Sequence, residues 1–157
     1  MSVKLIKDNM AEFLAGVNAM DKKRVYVGVP GNESERSEDI TNVSLAYIHD
    51  RGSPKVNIPA RPFLQPGIDS ARAQIEARMK KAAASPNWSP ALLDQTLEQV
   101  GTIAQSSVKK QIRSQEGFTP LAKSTLKARE KKGFKGTKAL IQTGKLLNSI
   151  SYVVRDK

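Results

Sequence analysis

Cysteine is absent from this chain, which excludes disulfide frameworks and thiolate metal sites. The single histidine, His49, excludes any centre built on two imidazoles. Aromatic residues are only 5% of the sequence, so Phe118 and Phe134, although they stand among lysines, read as core or interface anchors rather than a base-stacking platform. No apolar run approaches the ~20 residues that cross a bilayer as a helix. The opening MSVKLIKDN lacks the apolar core of a signal peptide, so cytoplasmic synthesis is the simplest expectation. Acidic residues are the scarce charge, 15 Asp and Glu against 26 Lys and Arg, leaving a net charge of +11.

That excess favours polyanionic surroundings, either nucleic acid or an acidic protein partner. It is unevenly spread. Glu33, Glu35, Glu38 and Asp39 form an acidic stretch broken by Arg36, whereas the span 123–145 holds Lys123, Lys127, Arg129, Lys131, Lys132, Lys135, Lys138 and Lys145 against Glu130 alone. In a head-to-tail assembly, two such regions give neighbouring copies something to attract.

The 157 residues suit one domain with a core that needs no cross-links. Ile6, Met10, Phe13, Leu14 and Val17 recur at helical spacing and predict a helix over residues 3–19. Residues 24–29 alternate valine with other side chains and stop at Pro30-Gly31, a strand and a turn. An acidic, mobile loop is expected at 31–40. Asn42 or Ser44 is placed to cap a short helix that Gly52 ends.

A proline-rich arm follows at 52–67. Pro54, Pro59, Pro62 and Pro66 each fix φ and remove a donor, so the segment is expected to be extended, with an edge strand allowed over 58–64. A long helix is predicted from Ile68 to Ala82 or Ala83. Trp88 then sits in a tight link, and Ser89 and Pro90 open a second long helix whose apolar face is Leu93, Leu97, Val100, Ala104, Val108 and Ile112. Gly101 inside that helix marks close packing, and Gly117 ends it.

A basic loop is expected at 117–140, with a short helix allowed over 125–132. One helical turn at 143–147 and a closing strand at 150–154 complete the chain. The inventory is α+β: two long helices and an N-terminal helix on a small antiparallel sheet, with two to four strands drawn from the chain's two ends.

No catalytic set is legible. His49-Asp50 would suit a metal-dependent phosphohydrolase only with further histidines, and no Gly-x-Ser-x-Gly elbow supports a serine nucleophile. "GFKGTKAL" lacks the Gly-x-x-x-x-Gly-Lys-Ser/Thr order of a phosphate-binding loop. No enzyme activity, cofactor or metal is expected.

Two stretches carry a resemblance. "AYIHDRGSPKVNIPARPFLQPGI" resembles a signature of tailed-bacteriophage neck proteins, in which a short helix ends in Gly, an Ile-Pro-Ala-Arg-Pro-Phe-Leu segment follows, and a long helix starts. "TPLAKSTLKAREKKGFKGTKALIQTGKLLNSISYVV" looks like the second half of the same pattern. Together they span most of residues 25–154, in the right order. The family is the tail-completion group, also described as virion morphogenesis or minor tail Z-like proteins. Many members carry an acidic residue near the position of His49, so no role is carried over to His49.

The resemblance implies an α+β fold and a homo-oligomeric ring at the head–tail junction, with six copies as the working expectation. Its implied neighbours are the head-completion or connector protein and the tail tube or tail terminator, with genome DNA in the channel and no membrane. On this view Pro59, Arg61, Pro62, Phe63 and Leu64 belong to an interface, held stiff to limit the entropy lost on assembly. The basic loop, with Lys123, Lys127, Arg129, Lys131, Lys132, Lys135 and Lys138, faces either DNA or an acidic neighbour. The competing expectation is a sequence-independent nucleic-acid-binding packaging accessory.

Overall fold

Six helices and two strands run through the described residues, 10–31 and 40–157, of a computed structural model. In chain order they are α1 (Met10–Lys22), β1 (Lys23–Gly28), α2 (Asn42–Arg51), α3 (Leu64–Ala83), α4 (Pro90–Ser114), α5 (Lys123–Lys131), α6 (Lys145–Ser149) and β2 (Ser151–Asp156). The fold is α+β, with long helices on a small antiparallel sheet. The expected helix residues before Met10, Ile6 among them, and the acidic residues Glu33, Glu35, Glu38 and Asp39 lie outside the described part.

Helix α4 is the hub. Ser89 caps it as its sequence position predicts, its hydroxyl accepting from the Leu92 N–H at 3.3 Å, and Pro90 occupies the first turn, where its missing donor costs nothing. All six residues of the predicted apolar face are buried. Their burial, at roughly 1.5–3 kcal/mol for each large aliphatic side chain, holds α1, α3 and the sheet to a single axis.

Two close approaches explain glycines inside helices. A Cβ on Gly101 would lie 2.2 Å from the Tyr152 ring, so this glycine lets α4 meet β2. A Cβ on Gly67 would lie 2.7 Å from the Val108 Cα, so α3 and α4 cross almost backbone to backbone.

The sheet joins the two ends of the described chain. β1 and β2 pair antiparallel, with Val25 opposite Val154 and Val27 opposite Tyr152. Two strands form, the lower bound of the expected range. Such a ribbon is marginal by itself in water and is held by α4. Val25 and Val154 pack against Trp88, Leu93 and Leu97, while Val27 joins the cluster of Phe63, Val108, Ile112 and Ile150.

Several boundaries differ from the sequence reading. Thr41 caps α2, its hydroxyl accepting from the Ser44 N–H at 3.1 Å, in place of Asn42 or Ser44. α4 ends before Gly117 because Gln115 itself takes a left-handed φ of 64°.

Helix α1 differs in a more consequential way. An apolar stripe ordinarily turns inward, yet Met10 is 61% exposed, Leu14 52% and Val17 45%. The buried position is Gly16, where a Cβ would lie 2.6 Å from the Trp88 indole nitrogen. The small face of α1 is therefore the packed one, and the apolar face looks outward.

Candidate anion-binding cleft

The proline-rich arm does not extend. Gly52, at φ 78°, closes α2, and a Cβ there would lie 2.8 Å from the Ala60 nitrogen, so the chain doubles back on itself. Ser53 and Ile58 exchange main-chain hydrogen bonds at 2.8 and 3.0 Å around a 3-10 turn at Pro54–Val56, with Asn57 left-handed at φ 56°. No edge strand forms over 58–64. Proline fixes φ near −65° whether the chain turns or extends, so the prolines alone did not determine the path. Pro66 falls in the first turn of α3, which lets that helix begin at Leu64, a turn before the predicted Ile68.

Asp50 completes this corner. Its Oδ1 accepts from the main-chain N–H groups of Phe63 at 2.9 Å and Leu64 at 3.1 Å. A carboxylate from α2 thus supplies the cap that α3 does not supply for itself. The role of the His49-Asp50 pair visible here is this cap.

The corner decides where the expected interface residues lie. Phe63 is fully buried beside Val108 and Ile112, and Arg61 is 5% exposed. Leu64 is half-buried against the same cluster, whereas Pro59 and Pro62 are exposed. Arg61 and Phe63 are thus committed within their own chain, and of the expected interface residues Pro59 and Pro62 face outward.

The basic segment is likewise more structured than a loop. Residues Lys123–Lys131 form α5. Arg129 is 8% exposed and donates from Nη1 to the carbonyls of Gly136 at 3.2 Å and Lys138 at 2.9 Å. Lys138 donates to the Arg113 carbonyl at 2.8 Å. The Gln115 side chain bonds both main-chain groups of Ala139, accepting at 2.6 Å and donating at 3.1 Å. Lys123, Lys127, Lys131, Lys132 and Lys135 remain exposed.

Arg61 brings the two segments together. Its Nε donates to the Thr119 carbonyl at 2.8 Å and its Nη2 to Pro120 at 3.3 Å. Between arm and basic segment opens a cleft of about 900 Å³. Leu45 and His49 of α2 form one wall, and Ile58, Pro59 and Arg61 of the arm the next. Thr125, Arg129 and Lys132 of α5 face Leu140, Thr143 and Lys145. Among the described residues, no carboxylate lines it.

The electrostatics follow from that lining. Burial and then the charge of Arg129 lower the proton affinity of Arg61, and burial lowers that of Arg129. Both guanidiniums stay charged, and neither has a carboxylate partner among the described residues. Their hydrogen bonds go to carbonyls, and the Nε and Nη2 edge of Arg129 has no partner among the described residues. Leu140 in the wall holds a left-handed φ of 61°, a conformation that costs a branched side chain of order 1–3 kcal/mol.

Such a set offers N–H and O–H donors to an anion. Sequence reasoning placed Arg61 and Arg129 in separate segments and passed over Asp50 and Gln115 as organisers. The usable signal was one arginine in each motif with no acidic residue close by. Among the described residues, no helix is long and apolar enough to cross a membrane. No family profile, curated protein or solved structure matches this chain.

Proposed function

We propose that this chain is a structural neck protein of a tailed bacteriophage, completing the upper end of the tail and joining it to the head-side connector as a ring of identical copies. The observation that carries this reading is the occurrence of both neck-type motifs, "IPARPFL" and "LIQTGKLLNSI", in order in one chain.

Three surface features support an assembling role. The outward stripe of Met10, Phe13, Leu14, Val17 and Met20 is the kind of apolar patch that another protein covers. The two-stranded sheet has both outer edges without a strand partner among the described residues, and open edges accept further strands. The arm presents Val56, Pro59 and Pro62 on a turn already closed by hydrogen bonds, which limits the ordering cost of docking. The chain acts through these surfaces and not as an enzyme.

The exposed lysines of α5 favour a second reading, a sequence-independent nucleic-acid-binding accessory. Solution mass, negative-stain imaging and a DNA titration at two salt concentrations separate the readings. Rings of phage-neck dimensions with weak DNA affinity are the expected result. A monomer with tight binding that falls steeply with salt supports the accessory reading instead.

A further inference from the structure

The cleft between the arm and α5 contains more positive charge than the described residues neutralise. Arg61, Arg129, Lys132 and Lys145 line it, and among the described residues no Asp or Glu does. The two arginines are nearly buried, both line the cleft, and the charge of Arg129 disfavours that of Arg61. An arginine pair of this kind is stabilised by a carboxylate or phosphate, because a guanidinium edge accepts two anionic oxygens at once. The Nε and Nη2 edge of Arg129, which has no hydrogen-bond partner among the described residues, has that geometry.

The shape of the cleft argues for a peptide carboxylate. A volume of about 900 Å³ suits a few side chains. Leu45, Ile58, Pro59 and Leu140 supply apolar wall between the cations. A nucleic-acid groove needs a continuous basic track and a series of stacking rings, whereas Phe134 is the one Phe, Tyr or Trp among the described lining residues.

The chain itself carries a matching segment. Residues 33–39 hold four carboxylates, those of Glu33, Glu35, Glu38 and Asp39, against Arg36. They lie within residues 32–39, outside the described part of the structure.

We infer that the cleft is a carboxylate-binding socket that receives the acidic segment 33–39 of a second copy of this chain. Socket and plug on one chain make a head-to-tail contact, the kind that closes into a ring when the rotation per copy permits. The choice of a second copy as occupant rests on the ring reading. The chemistry of the socket does not.

The test uses two full-length variants. One carries Lys132→Glu and Lys145→Glu, both exposed residues on the cleft rim, so its fold is spared. The other carries Glu33→Gln, Glu35→Gln, Glu38→Gln and Asp39→Asn. A labelled peptide of residues 31–40 is titrated into the amide variant, whose own segment cannot compete. Saturable binding is expected, weakened at least about tenfold by adding Lys132→Glu and Lys145→Glu. It is also expected to be lost with a peptide whose four carboxylates are amides.

Sedimentation of the two variants then locates the contact. Each alone should be monomeric, and a 1:1 mixture should form a heterodimer, since one supplies the socket and the other the plug. A mixture that stays monomeric, or an amide peptide that binds equally well, overturns the proposal. So does short duplex DNA that displaces the acidic peptide from the cleft at equal concentration. Wild-type rings that persist in both variants leave the neck reading standing and defeat this inference alone. A heterodimer from a protein that never enters a virion does the reverse.

Discussion

The Asp50 carboxylate, reaching from the end of α2 to the first N–H groups of α3, sets the direction of the arm between them. A helix start without a cap of its own leaves orphan donors, and Phe63 offers no side-chain acceptor. Asp50→Ala should therefore lower stability to urea by about 1–2 kcal/mol, while Asp50→Asn, which keeps an acceptor oxygen, should lose less than half of that. Equal losses in the two variants would show that charge, rather than the acceptor, holds the corner. Arg61 and Arg129 work similarly, each tying distant main-chain carbonyls through a buried guanidinium. Only Arg61 was singled out from the sequence as an anchor, and it was assigned to a neighbouring copy because exposure is not legible from residue type. Burying an arginine without a carboxylate is uncommon enough that sequence reasoning does not anticipate it.

At the scale of elements, what was legible is what local periodicity determines. α4 was readable because its buried positions recur every three or four residues and its cap and first-turn proline precede them. β1 was readable as a run alternating valine with other side chains, and β2 as a short closing run that ends in Val153-Val154. The arm was not, because its prolines fit a turn and an extended path equally. The orientation of α1 was not, because Gly16 rather than the apolar stripe meets Trp88. The basic segment was read as a loop because its lysines repel, while its order comes from Arg129, Gln115 and Lys138, contacts of 7 to 25 residues in sequence separation. Amide hydrogen exchange should accordingly find Leu126, Lys132 and Phe134 protected in the free protein, each donating to a main-chain carbonyl. Arg129→Ala should raise exchange at Phe134 by more than about tenfold, whereas Lys127→Ala should leave it unchanged. Rapid exchange of all three amides in the wild-type protein would restore the mobile-loop expectation.

For the whole molecule, the charge and the surface point the same way. The fold is organised around α4, and among the described residues its cleft, its apolar α1 stripe and its sheet edges lie on the outside. These surfaces give a chain of this size several places to meet other chains. The net charge of +11 adds attraction to acidic partners whether these are protein or DNA. The neck reading assigns the surfaces to neighbouring copies and to the head and tail components on either side. Its most direct test is to inactivate the gene in a phage that carries it and image the lysate by electron microscopy. The account predicts DNA-filled heads and finished tails lying apart, with joining restored when the purified protein is added back. Normally joined, infectious particles from the inactivated phage would contradict it.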